Sequence, residues 1–129
     1  MASKIVLLDT SIPIDYFRKK DKSKTSFVRL ADSYSHFYIS AITEYEIRSG
    51  INIEQETFWQ ELLGQLEVLP FESQAVLAAT KINNELKRKR KQIAIPDLFI
   101  AATAIANKLP LATLNRKHFE RIDNLVIVE

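Results

Sequence analysis

Three carboxylate residues lie on separate segments of the chain, each near the end of a predicted strand or the start of a predicted helix. Asp9 follows a buried apolar run at residues 5–8, Glu46 lies in a predicted helix that follows residue 40, and Asp97 opens the most apolar helical segment. In a parallel α/β sheet, such positions meet at the carboxyl ends of the strands. Three carboxylates in one crevice would raise one another's pKa unless a cation held them, so we expect a divalent ion there.

The chemistry expected of such a site is hydrolysis of a phosphodiester bond. Oxygen ligands of this number and kind favour Mg²⁺ or Mn²⁺, which usually complete their coordination with water and phosphate oxygens. Water activated by the metal would be the nucleophile, while the metal neutralises charge at phosphorus. Each carboxylate also has a simpler interpretation, because Asp9 and Asp97 suit turns or helix starts and Glu46 suits a helix surface.

Two glutamates in the predicted third helix differ in the direction they face. Glu44 and Glu46 are two residues apart, so on a helix they point to nearly opposite sides. Glu46 shares its side with Ile42 and with small residues, whereas Glu44 precedes Arg48 by four residues, the favourable order for an exposed ion pair. We therefore predict that Glu46 faces the crevice and that Glu44 lies on the surface.

Four polar residues complete the candidate site. Thr10 and Ser11 follow Asp9, and Thr113 ends a predicted strand. Their hydroxyl groups are candidates for orienting a water molecule or a phosphate oxygen, although capping of the next helix explains Ser11 equally well. Asn115 would offer the metal a weak, neutral oxygen ligand, and a turn asparagine is an equally good interpretation.

Five consecutive cations form the one dense charge run, near the end of a predicted helix: Lys87, Arg88, Lys89, Arg90 and Lys91. Such a run is usually a solvated helix end whose charge complements the helix dipole. Because it precedes Asp97 by only a few residues, it is also a candidate for binding the phosphates of RNA. The two histidines, His36 and His118, stand apart from other ligand types, which favours surface or turn positions for both.

Short β-rich runs alternate with helical patterns, which predicts an α/β fold with a parallel sheet and helices on both faces. Ser40 is expected to cap the third helix. The strands are expected at residues 5–8, 36–39, 67–69, 111–113 and 125–128. About seven helices are expected, the clearest at residues 12–20, 27–34, 41–50, 58–66, 72–90 and 96–107.

The composition limits the classes of protein to which the chain can belong. Its 129 residues correspond to about one domain, and 47% hydrophobic with 26% charged residues are typical of a globular fold. The absence of cysteine excludes disulfides, thiolate zinc sites and cysteine nucleophiles, and two glycines are too few for a glycine-rich phosphate loop.

Net charge and the N-terminal pattern add two expectations. A net charge of +2 excludes a uniformly basic surface, so polyanion binding would depend on how the charges are arranged. The apolar run at residues 5–8 is too short for a signal peptide or a membrane span, so we expect a cytoplasmic protein that does not enter the membrane.

Several segments, taken in order, resemble the PIN-domain ribonucleases, and in particular the VapC-type toxins of bacterial toxin–antitoxin pairs. They are LDTSIPIDY at residues 8–16, ISAIT at residues 39–43 with the helix that follows through Glu46 to Gly50, IAIPDLFIAATA at residues 93–104, and LATLN at residues 111–115 with Phe119. The resemblance implies a single PIN domain over residues 1–129, with a three-layer α/β/α fold and a parallel five-stranded sheet. It also implies an Mg²⁺ or Mn²⁺ site formed by Asp9, Glu46 and Asp97, with RNA cleaved by metal-activated water.

The toxin subtype carries further implications for partners and for the metal. It implies a small VapB-type antitoxin that docks a helical segment in a hydrophobic groove and obstructs the acidic site, and it implies a homodimer. Many PIN domains have a fourth acidic residue where this chain has Asn115, and His118 stands where relatives often have an acid. We therefore expect a weakened second metal site here.

The leading hypothesis is a metal-dependent endoribonuclease that acts as a growth-arresting toxin. A PIN-domain nuclease of RNA maturation or decay is one alternative, and a degenerate PIN domain that only binds other proteins is another. A receiver-like signalling module is disfavoured, because Asp9 is followed by Thr10 and Ser11 instead of a second acidic residue.

Overall fold

A computed structural model describes residues 4–129 as short strands that alternate with helices. The strands are β1 (Ile5–Leu8), β2 (His36–Ser40), β3 (Glu67–Leu69), β4 (Leu111–Ala112) and β5 (Ile127–Val128). The helices are α1 (Ser11–Arg18), α2 (Ser26–Leu30), α3 (Ala41–Gly50), α4 (Glu56–Gly64), α5 (Ser73–Arg88), α6 (Ile95–Ala106) and α7 (Arg116–Phe119). Two 3₁₀ turns lie at Lys22–Lys24 and Ile53–Gln55.

The five strands form one sheet in the order β3-β2-β1-β4-β5, and every neighbouring pair is parallel. The chain moves outward from β1 through β2 to β3, and it then returns to place β4 on the other side of β1. The connections of β1 and β4 therefore leave in opposite directions, which opens a crevice at the carboxyl ends of these two strands. The predicted parallel five-stranded α/β sheet is confirmed.

Alternating side chains along β1 divide the core into two layers. Val6 and Leu8 pack on one face with Ile12 of α1 and Trp59 of α4. Leu7 points to the opposite face, where the buried residues come mainly from α5, α6 and α7. Because both faces of the sheet are covered at its centre, β1 is apolar without alternation, as expected for a parallel sheet. The fold is a three-layer α/β/α sandwich.

Helix α6 is apolar on almost every side because it packs between the sheet and α5. Ile100, Ala101, Ala102 and Ala104 are all buried within it. This packing fixes the first turn of the helix, which carries Asp97. Over the described range of residues 4–129, no helix combines the length and the apolar character needed to cross a bilayer.

The second helix is shorter than its apolar periodicity predicts. Helix α2 ends at Leu30 instead of residue 34. Asp32 and Ser33 follow, and both residue types favour turns over helix interiors. The Tyr34 N–H donates to the Leu30 carbonyl oxygen at 2.9 Å, closing a turn that leads into β2. Tyr34 still packs against the core. The apolar periodicity therefore predicts the burial of Tyr34 correctly, but it overestimates the length of α2. The other predicted helices and strands lie within a few residues of their observed bounds.

Candidate active site

The carboxyl ends of β1 and β4 border a crevice of about 620 Å³. Asp9, Glu46 and Asp97 all line it, although Asp9 directly follows β1, Glu46 lies in α3 and Asp97 lies in α6. Its other lining residues are Thr10, Ser11, Ile14, Asp15, Arg18, Lys19, Ile100, Leu114, Asn115 and His118. The structure thus brings the three predicted carboxylates to one place, as the topology requires.

Asp9 is the most constrained of the three carboxylates. It is only 3% exposed, and burial raises the pKa of its carboxyl above the ordinary value. Hydrogen bonds act in the opposite direction: Oδ1 accepts from the Ser11 N–H at 2.9 Å and from the Ser11 hydroxyl at 2.5 Å, and Oδ2 accepts from the Thr113 hydroxyl at 2.5 Å. The negative charge of Asp97 raises the same pKa further.

Ser11 supports Asp9 and does not cap helix α1. The residue at the cap position is Thr10, and Ser11 is already within the helix. The Ser11 hydroxyl donates to Asp9 and accepts from the Leu114 N–H at 3.0 Å, which joins the segments that follow β1 and β4. The capping interpretation of Ser11 is therefore wrong, because Asp9 itself accepts the free N–H at the start of the helix.

Glu46 faces the crevice and Glu44 faces solvent, so the predicted helix geometry is confirmed. Glu44 Oε2 pairs with Nε of Arg48 at 3.0 Å. Glu46 Oε1 accepts a hydrogen bond of 2.6 Å from the Thr10 hydroxyl. The predicted cap of this helix is confirmed as well, because Oγ of Ser40 accepts from the Thr43 N–H at 3.1 Å.

Asp97 lies in the first turn of α6 and has a partner that the sequence did not suggest. Its Oδ2 lies 3.1 Å from Nδ1 of His118 in α7. His118 keeps 56% of its side chain exposed, as expected of a surface histidine, yet it lines the crevice. The position of His118 in the sequence did indicate that it lies near the crevice, because residues just after β4 must lie at the same sheet edge as Asp9.

Thr113 and Asn115 lie where the segment after β4 enters the crevice. Thr113 is buried, and its hydroxyl donates to Asp9 while accepting from the Asn115 N–H at 2.9 Å. Asn115 lines the crevice directly. The hydroxyl hydrogens of Thr10, Ser11 and Thr113 are all donated to carboxylates, so in this structure they orient the acidic groups. Their direct contact with phosphate or water stays a prediction.

The cations that line the crevice are Arg18 and Lys19 in the last turn of α1 and its cap, together with His118 when protonated. Lys19 pairs with Asp15 at 3.1 Å. The basic run at residues 87–91 is not part of the crevice wall. It lies at the end of α5, where Arg88 pairs with Glu85 and Lys89 lies 3.3 Å from Asp123. RNA binding by this run stays a prediction, and it would occur beside the crevice.

The donor set of the crevice fits a hard divalent cation. Its acidic side chains offer carboxylate oxygens, and Asn115 offers an amide oxygen. In the part of the chain from residue 4 onward, no three acidic or histidine side chains form a ligand cage. An Mg²⁺-type ion does not need one, since it usually keeps several waters and uses one or two carboxylates. The negative charge of Asp97 is close enough to raise the pKa of Asp9. A bound cation would offset the repulsion between the two carboxylates.

Comparisons with known proteins all indicate the same family. A family model described as a PIN domain matches residues 6–125. Ribonuclease VapC1 of Methanocaldococcus jannaschii is 32% identical over 117 residues, which cover 91% of this chain and 80% of that protein. Ribonuclease VapC of Rickettsia bellii is 33% identical over 131 residues, which cover 95% of this chain and 94% of that protein.

Solved structures show the same fold. The DNA-bound VapBC structure from Salmonella typhimurium matches with a TM-score of 0.84 and 28% identity, and the match covers 98% of each chain. VapBC2 from Rickettsia felis, bound to a DNA fragment from its promoter, matches with a TM-score of 0.82 and 29% identity over 96% of this chain and 97% of that one. Fold, acidic crevice and relatives agree that the chain belongs to the VapC ribonucleases of the PIN-domain family.

Proposed function

We propose that this protein is an endoribonuclease that hydrolyses RNA phosphodiester bonds with the help of Mg²⁺ or Mn²⁺, and that it acts as the toxin of a toxin–antitoxin pair. The observation that carries the proposal is the meeting of Asp9, Glu46 and Asp97, from three separate elements, in one crevice at the switch point of the sheet. Structural roles alone would not require three acidic side chains to converge, because their mutual repulsion costs free energy.

The residues that would hold the cation are Asp9 and Asp97, with Glu46 directly or through a water molecule and Asn115 as a weak neutral ligand. When bound, the cation lowers the pKa of water and neutralises charge on the scissile phosphate. Replacement of an acid by Asn115 reduces the negative charge available to a second ion, which favours one strong metal site over two.

The side chains themselves hold the acidic groups in place and orient the nucleophile. Three donors fix both oxygens of Asp9, so its carboxylate has little freedom to rotate. Among residues 4–129, Thr10 is the donor that reaches Glu46, and it binds Oε1. Oε2 is then free to accept a hydrogen bond from the attacking water or to bind the cation. Ile14, Ile100 and Leu114 supply the apolar part of the crevice wall.

RNA would enter over the positive side of the crevice. Arg18 and Lys19 stand at its edge and are suited to bind the phosphates that flank the scissile bond. The run at residues 87–91 would extend this contact along a longer strand. Net charge alone concealed this arrangement, because the acidic crevice and the basic residues nearly cancel.

Regulation would come from a partner chain. The related structures from Salmonella typhimurium and Rickettsia felis are VapBC structures, and that of FitAcB from Neisseria gonorrhoeae matches over 96% of this chain. By analogy with them, a VapB-type antitoxin would dock beside the crevice and obstruct its acidic residues. We also propose a homodimer. RNA as the substrate favours the cytoplasm as the place of action.

The test compares two glutamates on one helix. Total RNA is incubated with the wild-type protein, Glu46→Gln and the matched control Glu44→Gln, with Mn²⁺, with Mg²⁺ or with excess EDTA. We expect cleavage by the wild type and Glu44→Gln only with a divalent ion, and a loss of at least roughly 100-fold for Glu46→Gln. Cleavage that persists in EDTA, or equal activity of both variants, would refute the proposed mechanism.

The toxin assignment has its own test. Expression of the wild-type protein in bacteria without an antitoxin should arrest growth, whereas Asp97→Asn should not. Growth unaffected by a protein that cleaves RNA in vitro would instead favour a nuclease of RNA maturation or decay.

A further inference from the structure

A chain of three hydroxyl groups leads from the start of α3 to the carboxylate of Glu46; the first two are buried and the third, Thr10, is partly exposed. The Ser40 hydroxyl lies 3.4 Å from Oγ1 of Thr43, which lies 3.0 Å from Oγ1 of Thr10, which in turn lies 2.6 Å from Oε1 of Glu46. Ser40 and Thr43 are fully buried, and neither lines the crevice. Thr43 therefore reaches Glu46 only through Thr10.

The donors in this chain run in one direction. An ionised carboxylate only accepts, so Thr10 must use its single hydroxyl hydrogen on Glu46. Thr10 can then only accept from Thr43, and Thr43 can only accept from Ser40. The Ser40 oxygen accepts from the Thr43 N–H at 3.1 Å, which closes the sequence. Each hydroxyl thus fixes the rotation of the next one.

Helix stability does not account for the hydroxyl of Thr43. Ser40 already caps α3 through the Thr43 backbone, which any residue could supply. Thr80 in α5 and Thr103 in α6 donate to the carbonyl oxygen four residues earlier, the usual arrangement for a helical threonine. The Thr43 hydroxyl instead bonds across 33 residues to Thr10, although valine would fill the same buried space without a polar group to satisfy.

We propose that Thr43 is a positioning residue for Glu46, an inference that rests on the proposed nuclease function. Its hydroxyl holds Thr10 as a donor to Oε1 of Glu46, and this leaves Oε2 available to bind the cation or a water molecule. Without the Thr43 hydroxyl, the Thr10 oxygen loses a donor, so the orientation of its hydrogen bond to Glu46 is less constrained.

The test uses three threonine variants: Thr43→Val, Thr43→Ser and the matched control Thr103→Val, which also removes a fully buried helical hydroxyl. Two quantities are measured, the kinetics of cleavage of an RNA oligonucleotide and the affinity for Mn²⁺ by electron paramagnetic resonance. For Thr43→Val we expect kcat to fall about tenfold with KM unchanged, and Mn²⁺ affinity to fall about tenfold, as is typical for the loss of a group that orients a metal ligand. Thr43→Ser should restore both values to within about twofold, and Thr103→Val should change neither.

Melting temperatures without metal show which variants fold. If Thr43→Val does not fold, Thr43→Ala is used in its place. If Thr43 acts only through Thr10, the double variant Thr10→Val/Thr43→Val should have the same kcat and Mn²⁺ affinity as Thr10→Val alone. Independent structural effects of the two substitutions would instead add. Unchanged kcat and Mn²⁺ affinity in Thr43→Val, or failure of serine to restore them, would overturn the role of Thr43 while leaving the nuclease function intact. A wild-type protein without RNA cleavage would overturn the function, and the Mn²⁺ measurement would still report on Thr43.

Discussion

The hydroxyl of Thr113 donates to Oδ2 of Asp9 at 2.5 Å, joining two residues that are 104 positions apart in the chain. The bond crosses the switch point, because Asp9 follows β1 and Thr113 follows β4. Both residues are buried, so the bond is shielded from water. It therefore couples the position of the first carboxylate to the docking of a strand formed late in the sequence.

Removal of this bond should destabilise the protein. Thr113→Val leaves Oδ2 of Asp9 buried without its donor, and we expect the free energy of unfolding to fall by about 1–3 kcal/mol. Urea unfolding followed by circular dichroism measures the change. Thr113→Ser keeps the hydroxyl and serves as the control. A stability of Thr113→Val equal to that of the wild type would mean that water replaces the lost donor.

The raised pKa of Asp9 predicts how stability depends on pH in metal-free protein. Folding binds a proton more tightly to this carboxyl, because burial raises its pKa above the unfolded value. Its stabilising contribution is thus complete below the unfolded pKa of about 3.9 and is lost as the pH rises through the raised value. In EDTA, we expect Asp9→Asn to become progressively more stable than the wild type between about pH 4 and neutral pH. Parallel curves of stability against pH for the two proteins would contradict this expectation.

Arg18 at the edge of the crevice should contribute to RNA affinity. We expect Arg18→Gln to weaken RNA binding and to reduce the slope of log affinity against log salt by about one, as for the loss of one phosphate contact. Binding is measured by fluorescence anisotropy in the Asp97→Asn background, so that the RNA stays intact. Lys87→Gln, in the basic run outside the crevice, is compared directly. A larger effect of Lys87→Gln would move the main RNA contact to the end of α5.

His118 is a position at which the charge of the site can be changed. Replacement His118→Asp places a carboxylate beside Asp97, and we expect Mn²⁺ affinity to rise on the order of tenfold because more ligand charge binds the ion more tightly. Without metal, the same variant should melt at a lower temperature, since like charges repel. His36→Asp is the matched control, because His36 is exposed at the opposite end of β2. Calorimetric titration with Mn²⁺ checks the affinity, and an unchanged value would place His118 outside the metal site.

Lys22 should stabilise the end of helix α1. Its Nζ donates to the carbonyl oxygens of Tyr16 at 2.5 Å, Phe17 at 2.9 Å and Lys19 at 2.9 Å. It also lies 5.1 Å from the ring centres of Tyr16 and Phe58. We expect Lys22→Met to lower the free energy of unfolding by about 1–2 kcal/mol. Thermal unfolding of both variants measures the change. Lys20→Met, at an exposed position nearby, should have almost no effect on the free energy of unfolding.

Local rules were sufficient for several parts of the fold and of the site. The buried strand before Asp9, the cap at Ser40 and the opposite directions of Glu44 and Glu46 follow from side-chain periodicity and capping chemistry. Each of these features depends on residues that are near one another in sequence. The family resemblance then added the nature of the substrate, which no spacing of residues contains.

The topology predicted that the three carboxylates meet, but individual contacts between side chains on distant elements were not predicted. The contact between His118 and Asp97, the donation from Thr113 to Asp9 and the position of Arg18 at the crevice all arise from the packing of separate elements. The basic run shows that nearness in sequence does not by itself place a residue in the crevice wall. It lies close to Asp97 in sequence, but the end of α5 does not form part of the crevice wall.

The strand order also determines when the active site can exist during synthesis. Asp9, Glu46 and Asp97 are all translated before β4, the strand that pairs with β1 and brings Thr113 to Asp9. A nascent chain therefore carries all three acidic groups before the strand that fixes the first of them has been made. We therefore expect nuclease activity to arise only after β4 has emerged and paired with β1.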